Sequence, residues 1–372
     1  MDLIYYYPSG SYGPSVVAKS LLNHLLSRKK KLPFEKIKLF VPIRDLEEMK
    51  EQFDDMEIIT LKNINRKSKN CLIHIPVGPL IFPNSKFLLH LFAVFKRRKL
   101  ILQEHGDTRT EMRIKWKYMH RLNLSYIPTY IFLPYLLKSA DRLIVNSYWL
   151  SNLVRSKYGV KNEVVIPNAI DDFWFESVKE NIELDGAPAI FYHGKLTPEK
   201  GIDILLKAFS KATNKHSKAK LYLAGGGSWK TYLRKLCAEL GIKKNVMFLG
   251  HLEKEDIKVY LNNVDAAIYP SIWDNFPLAF MEAFSSANGP VYFSKAAGIY
   301  DFVVRDGYDL NAFEPTVNNV TEIIKDVIDG NYDEQIIKSQ KEFAKGYTWD
   351  KVSSRYIKIY NDIVKARLHC EK

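Results

Sequence analysis

The sequence is poor in cysteine and has no long apolar segment. Its 372 residues include three cysteines, Cys71, Cys237 and Cys370, and no CxxC pair. This scarcity argues against a disulfide framework and against a zinc site, and it fits a reducing compartment. The uncharged stretch Leu122–Leu137 is 16 residues long and contains two prolines, whereas a membrane-spanning helix needs about 20 apolar residues. Disulfide-rich and membrane-spanning proteins are therefore disfavoured.

Signatures of several other protein classes are also missing. The N-terminal segment MDLIYYYPSG lacks the basic region and apolar core of a signal peptide, and it is better interpreted as a first β-strand. This predicts a cytoplasmic protein. The chain has no GxGxxG fingerprint, which disfavours hydride transfer with a dinucleotide. It also has no Asp-x-Asp motif before the candidate site, so neither a metal nor another cofactor is expected.

Positive charge is concentrated in the first half. The chain has a net charge of +13, yet residues 1–170 hold 28 Lys and Arg against 14 Asp and Glu, a net of +14. Such asymmetry predicts an anionic partner for one domain, such as a membrane surface, a lipid phosphate or a nucleic acid. A solvated basic face is the alternative. The segment Phe87–Phe95, followed by the basic run Lys96–Lys99, fits either a helix lying on an anionic membrane or a buried helix followed by a strand.

Short apolar runs alternate with amphipathic segments of helical length, which is typical of βα units around parallel sheets. The pattern restarts after the turn-rich stretch Pro167–Asp171. We predict two doubly wound α/β domains, residues 1–168 and 169–350, and a C-terminal helix within 351–372 that packs back toward the first domain. Ligands of such domains bind at the carboxyl ends of the strands. The strands are predicted at Leu3–Tyr7, Ile37–Pro42, Cys71–Ile75, Leu100–Gln103, Arg142–Asn146, Ala189–His193, Leu221–Ala224, Val246–Leu249, Ala266–Tyr269 and Val291–Phe293.

Two lysines lie in a loop that follows a predicted strand and precedes a predicted helix. Lys195 and Lys200 are five residues apart, with Gly194 and Gly201 on either side. Backbone N–H groups at a helix N-terminus attract anions, and the lysines add full positive charges. A phosphate or diphosphate is the natural ligand of such a loop. A pair of surface lysines without a ligand is the alternative.

Two carboxylates follow a second strand. Asp274 lies in the loop after Ala266–Tyr269, and Glu282 lies inside a helix predicted over Pro277–Ser286. Carboxylates suit paired sugar hydroxyls because each can accept two hydrogen bonds. Asp274 has the simpler interpretation of a helix N-terminal charge, whereas the apolar neighbours of Glu282 predict a polar partner for it. The glycine run Gly225–Gly227 follows another strand and would let a ligand approach the backbone closely.

Several runs together resemble a known family. GKLTPEKGIDILLKAF, LYLAGGGSW, NVMFLGHLEKEDI and DAAIYPSIWDNFPLAFMEAFSSANGPVYFS are similar to the C-terminal domain of family 4 retaining glycosyltransferases (glycosyl transferases group 1). The similarity is close over Ala189–Pro315, extends upstream to Ala140–Asp171, and is loose over the first hundred residues. It implies the GT-B fold, with two Rossmann-like doubly wound domains facing a central cleft. Residues 1–168 would be the acceptor-side domain, and residues 169–350 would bind the nucleotide sugar.

The resemblance also implies roles for individual residues. Lys195 and Lys200 stand where the family has an Arg and a Lys that hold the donor diphosphate. Asp274 and Glu282 stand where it has two glutamates, the first on hydroxyls of the transferred sugar and the second on the nucleotide ribose. The remaining implied roles are His105 beside the reacting sugar, Gly13 for backbone approach to the diphosphate, and the loop Asn275, Phe276 and Pro277 over the sugar. His105, Asp274 and Lys200 would form the catalytic group.

Two of these positions depart from the family pattern. Lys195 replaces an Arg, so a bidentate phosphate contact becomes a point-charge contact. Asp274 replaces a Glu and is one methylene shorter. Neither change alters the sign of the charge. The histidines His193 and His251 also lie at strand ends and receive no catalytic role.

The function predicted from these features is that of a retaining, metal-independent hexosyltransferase. It would transfer sugar from a nucleotide-diphosphate donor to a glycan or lipid-linked acceptor, in surface polysaccharide or protein-linked glycan assembly. The basic first half predicts peripheral association with the inner membrane face, and no nucleic-acid partner is expected. The alternatives are a nucleotide-sugar epimerase or a phosphorylase of the same fold and, from another class, a basic nucleic-acid-binding protein.

Overall fold

Each half of the chain is built on one parallel β-sheet. The computed structural model describes residues 1–10, 13–68, 70–78, 80–119, 124–178, 180, 182–213 and 218–370. It divides into unit 1, which comprises Met1–Ala169 and Trp349–Lys372, and unit 2, which comprises Ile170–Thr348. The last helix of the sequence therefore belongs to the same unit as the first strand.

Unit 1 contains a seven-stranded sheet in the order β3-β2-β1-β4-β5-β6-β7. Its centre is almost entirely apolar because helices cover both faces of a parallel sheet, and all five residues of β4 are buried. The strands are β1 (Asp2–Tyr6), β2 (Ile37–Phe40), β3 (Glu57–Ile59), β4 (Cys71–Ile75), β5 (Lys99–Glu104), β6 (Arg142–Val145) and β7 (Glu163–Val165).

The helices of unit 1 include one that comes from the far end of the chain. They are α1 (Gly13–Ser27), α2 (Leu46–Gln52), α3 (Ile64–Lys67), α4 (Ser85–Phe95), α5 (Thr108–Met119), α6 (Ile127–Lys138), α7 (Tyr148–Tyr158) and, after unit 2, α15 (Trp349–Cys370). The ring of Trp349 stacks on His24 of α1. The hydroxyl of Tyr360 lies 2.8 Å from Nδ1 of the buried His74 on β4, so α15 contributes to the core of unit 1.

Unit 2 contains a six-stranded sheet in the order β10-β9-β8-β11-β12-β13. The strands are β8 (Ala189–His193), β9 (Lys220–Ala224), β10 (Val246–Gly250), β11 (Ala266–Tyr269), β12 (Val291–Ser294) and β13 (Ala312–Phe313). The helices are α8 (Ile202–Ala212), α9 (Lys230–Glu239), α10 (Lys254–Asn263), α11 (Leu278–Ser286), α12 (Ile299–Arg305), α13 (Val317–Asp329) and α14 (Gln335–Lys345). In both sheets the strand order reverses beside the first strand, β1 or β8. In such sheets a ligand binds at this switch point.

All ten predicted strands are present, with ends that differ by at most two residues. Three short edge strands, β3, β7 and β13, were not predicted, because two or three residues give too little apolar pattern to recognise. The segment Phe87–Phe95 lies within α4, where Phe87, Leu89 and Ala93 are buried, and β5 follows it. The helix followed by a strand that the buried alternative predicts is therefore present, and association of this segment with a membrane stays a prediction.

The helices also bear on insertion into a membrane. Across the described residues, each helix is too short or too polar to serve as a transmembrane span.

Candidate functional site

Both predicted diphosphate lysines lie in the loop that joins β8 to α8. Gly194 and Gly201 give this loop its shape, because both have positive φ angles, +141° and +65°. A Cβ atom at Gly201 would lie only 2.1 Å from the carbonyl oxygen of Pro270, so this glycine lets the loop pack closely against the residue after β11. Lys195 is exposed and Lys200 is half-buried. Two cations are thus presented at the carboxyl end of the first strand of unit 2.

The glycine run after β9 fits into this same loop. The N–H of Leu196 donates to the carbonyl of Gly226 at 2.9 Å. A Cβ on Gly225 would lie 1.9 Å from the carbonyl oxygen of Gly194, and one on Gly227 would lie 2.3 Å from that of Leu196. A Cβ on Gly226 would meet nothing within 4 Å. Gly225 and Gly227 therefore serve loop packing, and the predicted close approach of a ligand can apply only to Gly226.

Lys200 and Asp274 come together. The ammonium group of Lys200 contacts Oδ2 of Asp274, and their side chains are 20% and 16% exposed. The other carboxylate oxygen, Oδ1, accepts from the backbone N–H of Asn275 at 2.9 Å. The carbonyl of Glu199 accepts from the N–H of Ile272 at 2.9 Å, so backbone and side-chain contacts both join the β8–α8 and β11–α11 loops. The charge predicted for the diphosphate and the charge predicted for the sugar are thus adjacent.

The loop Asn275–Pro277 is less accessible than the sequence indicated. The side chain of Phe276 is buried and packs against Phe302 and Tyr347, with ring centroids 5.2 and 5.8 Å away. Pro277 is extended and precedes α11, which begins one residue later than predicted. Because the Phe276 ring faces the interior of unit 2, any contact of this residue with a sugar would come from its backbone.

Glu282 has the polar partner that its apolar surroundings predict. Its Oε2 atom lies 2.8 Å from Nε2 of His193, the last residue of β8. The hydroxyl of Tyr269, the last residue of β11, lies 2.7 Å from Nδ1 of the same ring. Burial, and then the nearby Glu282, raise the pKa of Tyr269 well above its ordinary value. The phenol therefore keeps its proton. Because a carboxylate can only accept, Nε2–H of His193 donates to Glu282, and Nδ1 accepts a hydrogen bond from the Tyr269 hydroxyl.

His193 was given no role from the sequence, and this geometry shows why the sequence missed it. The apolar neighbours of Glu282 indicated that a partner was needed, but they did not show which strand supplies it. β8 and β11 are adjacent parallel strands, so their last residues, His193 and Tyr269, come side by side. The imidazole holds the carboxylate in one orientation.

The remaining two predicted residues, Gly13 and His105, belong to unit 1. Gly13 is the first residue of α1, after β1. Residues 11 and 12, directly before it, lie outside the described residues. A Cβ at Gly13 would meet nothing within 4 Å, so the packing of unit 1 does not require glycine here.

His105 follows β5 directly, and its Nε2–H donates to the carbonyl of Pro76 at 2.9 Å. Burial lowers its pKa to about 4; the charge of Lys86 adds to the shift, whereas the hydrogen bonds to Pro76 and Asn168 oppose it. The imidazole is therefore neutral near pH 7, with its acceptor lone pair on Nδ1. Asp107 is buried, caps α5 through Thr110 at 2.8 Å, and accepts from Tyr158 at 2.7 Å. Its contacts are structural.

Two titratable side chains that the sequence did not single out, Glu104 and Lys86, lie beside His105. Burial raises the pKa of Glu104 to about 8, while the nearby ammonium of Lys86 opposes the shift. Burial lowers the pKa of Lys86, also to about 8. A Cβ at Gly78 would lie 1.9 Å from Oε2 of Glu104, so the carboxyl group packs where only glycine fits. The shifts show how strongly the surroundings of His105 disfavour charge.

Part of the sequence matches a known protein family. Residues 174–345 match the family described as glycosyl transferases group 1. The match covers nearly all of unit 2. An uncharacterized glycosyltransferase of Methanocaldococcus jannaschii is 28% identical over 178 residues, which are 47% of this chain and 45% of that protein. The chain spans about half the length of the curated relatives that it matches.

Solved structures resemble the whole chain, unit 1 as well as unit 2. Sucrose-phosphate synthase from Thermosynechococcus elongatus matches with a TM-score of 0.73 and 17% identity, over 98% of this chain and 99% of that one. Anabaena HepE in complex with UDP and glucose matches with a TM-score of 0.72 and 16% identity, over 97% and 100%. The GT-B fold expected from the sequence is thereby confirmed, with a Rossmann-like parallel sheet in unit 1 and another in unit 2.

Proposed function

We propose that the protein is a retaining glycosyltransferase that transfers a hexose from a nucleotide-diphosphate sugar to a glycan or lipid-linked acceptor. One observation carries the proposal. In unit 2, whose residues 174–345 match glycosyl transferases group 1, two lysines and two carboxylates gather at the carboxyl ends of the adjacent strands β8 and β11. The complex of HepE with UDP and glucose makes a uridine nucleotide the first donor to test.

The two lysines are proposed to bind the diphosphate, which is the leaving group of the reaction. Lys195 and Lys200 would stabilise the negative charge that grows on the diphosphate as the glycosidic bond breaks, and such electrostatic stabilisation is commonly the largest contribution to a rate. Because the lysines supply this charge, we propose that the reaction does not depend on a divalent metal. Asp274 would accept hydrogen bonds from hydroxyls of the transferred sugar, and Glu282 from the nucleotide ribose.

His105 is proposed to act on the transferred sugar from unit 1. Its neutral imidazole can accept a hydrogen bond through Nδ1 without adding a positive charge near an oxocarbenium-like transition state. Gly13 is proposed to let the backbone at the start of α1 approach the diphosphate. The acceptor belongs to surface polysaccharide or protein-linked glycan assembly in this proposal, and the excess of Lys and Arg in residues 1–170 favours an anionic, membrane-borne one.

Nucleotide binding gives the first test. UDP, GDP and ADP are added separately to the purified protein, and the midpoint of thermal unfolding is measured. A bound nucleotide stabilises the folded protein by mass action, by about 2.7 kcal/mol when its concentration is 100 times its Kd, and this raises the midpoint. We expect a shift with one of them and a much smaller shift in the Lys195→Ala/Lys200→Ala variant. Absence of a shift with all three at millimolar concentration would contradict the proposal. Release of free sugar from the matching donor then identifies the hexose.

A further inference from the structure

α6 is apolar around its whole circumference, yet one side of it faces solvent. Its sequence, IPTYIFLPYLLK, has no charged residue before Lys138. Leu133, Leu136 and Leu137 are buried against unit 1, whereas the opposite side is open, with Ile131 56%, Phe132 54% and Tyr135 75% exposed. A helix that is apolar on all sides is normally buried in a core or in a membrane. We call the exposed side, formed by Ile127, Ile131, Phe132 and Tyr135, the α6 face.

Other exposed apolar side chains lie on the elements around this face. Of the sixteen large apolar residues exposed in the described part of the chain, ten fall between Phe82 and Tyr135. α4 is a neighbour of α6, because Nε2 of His90 lies 2.9 Å from Oγ of Ser139, and it ends in Phe95, which is 79% exposed. Such a concentration on one part of a soluble fold marks an interaction surface.

The same segment is strongly basic. Residues 86–138 contain 11 Lys and Arg against 3 Asp and Glu. Two of the three acidic residues, Glu104 and Asp107, are buried, so only Glu111 offsets the basic charge near the surface. Exposed basic residues are present on α5, which contacts α6 through a 2.9 Å hydrogen bond from Arg109 Nε to the carbonyl of Tyr130; they include Arg113 and Lys117.

We propose that the α6 face docks onto an anionic lipid bilayer, with its apolar side chains at the boundary between head groups and acyl chains. Basic residues on α5 and after α4 would lie against the lipid phosphates. A second copy of the chain fits less well, because an isologous contact would bring two basic surfaces together. A nucleic acid would leave the isoleucines and the phenylalanine without an apolar partner. The inference deepens the proposed function. It rests on that function only where it links the surface to a lipid-linked acceptor.

Vesicle flotation tests the surface directly. Vesicles of phosphatidylcholine are compared with vesicles of equal parts phosphatidylcholine and phosphatidylglycerol, using the full chain, an Ile131→Ser/Phe132→Ser variant and a Val304→Ser control. Val304 lies on α12 of unit 2 and is 57% exposed, which matches Ile131. We expect the wild type and the control to float with the anionic vesicles, and the double variant to lose at least about tenfold in bound fraction. An Arg113→Gln/Lys117→Gln variant should lose about fivefold for each residue on the anionic vesicles.

Three outcomes would overturn the inference: no flotation of the wild type, equal flotation of the Ile131→Ser/Phe132→Ser variant, or a wild-type dimer in solution that this variant converts into a monomer. Unfolding midpoints of all variants, measured without vesicles, show that they are folded. The shift of the midpoint by nucleotide is recorded in the same samples. A nucleotide-induced shift of the midpoint without flotation would contradict the proposed membrane surface alone. Flotation without any nucleotide-induced shift would contradict the proposed donor site alone.

Discussion

The ammonium group of Lys200 contacts the carboxylate of Asp274, 74 residues further along the chain. This ion pair ties the loop after β8 to the loop after β11, at the two positions proposed for the donor diphosphate and the transferred sugar. A ligand that binds one of these two side chains would therefore change the orientation of the other. In the proposed function, the pair would couple recognition of the leaving group to recognition of the sugar.

Substitution of Lys200 should reduce turnover much more than stability. Lys200→Ala removes a positive charge from the proposed leaving group, and loss of one such stabilising group costs about 10²–10³ in rate. Initial rates of donor consumption measure it. Lys207→Ala is the matched control, because Lys207 makes a similar ion pair with Asp203 on α8 but lies outside the proposed site. Wild-type rates in Lys200→Ala would exclude the assignment of Lys200 to the diphosphate.

Substitution of His193 should weaken nucleotide binding and leave the chemical step largely intact. His193→Phe removes the hydrogen bond that orients Glu282, and hydrogen bonds to charged groups contribute about 1.5–3 kcal/mol. The Kd for the nucleotide, measured by calorimetry, should rise about tenfold or more. The KM for the donor should rise likewise with little change in kcat, because a ribose contact is made equally in ground and transition states.

Tyr269→Phe serves as the graded comparison for His193. It removes the hydroxyl that donates to Nδ1 but keeps the imidazole, so its effect on Kd should be smaller than that of His193→Phe. A drop in kcat at constant KM in either variant would mean that His193 takes part in the reaction rather than in positioning Glu282.

Gly225 and Gly226, two of the three consecutive glycines after β9, should respond differently to alanine. Gly225→Ala should lower the free energy of unfolding by about 2 kcal/mol or more, because its φ is +126° and its Cβ would overlap the carbonyl of Gly194. Gly226→Ala should stay within about 0.5 kcal/mol of the wild type, since the space there is open. Chemical denaturation measures both. Equal destabilisation by the two substitutions would contradict the loop packing described above.

Acid should destabilise unit 1 through its buried histidines. Burial lowers the pKa of His74 from an ordinary 6.5 to about 3 and that of His90 to about 4. As the pH falls below 6.5, the unfolded chain binds protons that the folded chain does not, so stability is complete above 6.5 and is lost progressively toward pH 3. Denaturation curves between pH 8 and pH 4 should show this loss.

His74→Phe separates this titration from simple packing. The variant should be less stable at pH 8, because the buried Tyr360 hydroxyl loses its partner, a cost of about 1–3 kcal/mol. It should also lose less stability than the wild type on acidification. An identical pH dependence in the two proteins would show that His74 is not a source of the acid sensitivity.

Local patterns in the sequence were sufficient to predict the sheets. Strands such as Cys71–Ile75 are buried on both faces and are apolar apart from a single residue, His74. The loops at the ends of such strands carry glycine, proline and charge. The same reasoning placed Lys195, Lys200 and Asp274 in loops that follow strands, and Glu282 in the helix after the second of these strands. The predictions held because the positions follow from chain order and strand direction, which a sequence displays.

Contacts between distant side chains could not be predicted in the same way. That Lys200 pairs with Asp274, and that His193 orients Glu282, depends on which strands are adjacent and on the turns of the loops that follow them. The Phe276 ring illustrates the limit: its motif indicated a loop over a sugar, but the ring packs on Phe302 and Tyr347. The exposure of the α6 face likewise depends on tertiary packing.

The place of α15 in unit 1 has a consequence for the order of events during synthesis. Tyr360 contacts the buried His74, and Arg28 pairs with Asp350. The core of unit 1 therefore stays incomplete during synthesis until α15 has left the ribosome. Unit 2, which is continuous from Ile170 to Thr348, has no such dependence. The domain encoded in the middle of the chain can therefore complete its fold first, while the domain begun earlier has to be finished by the final helix.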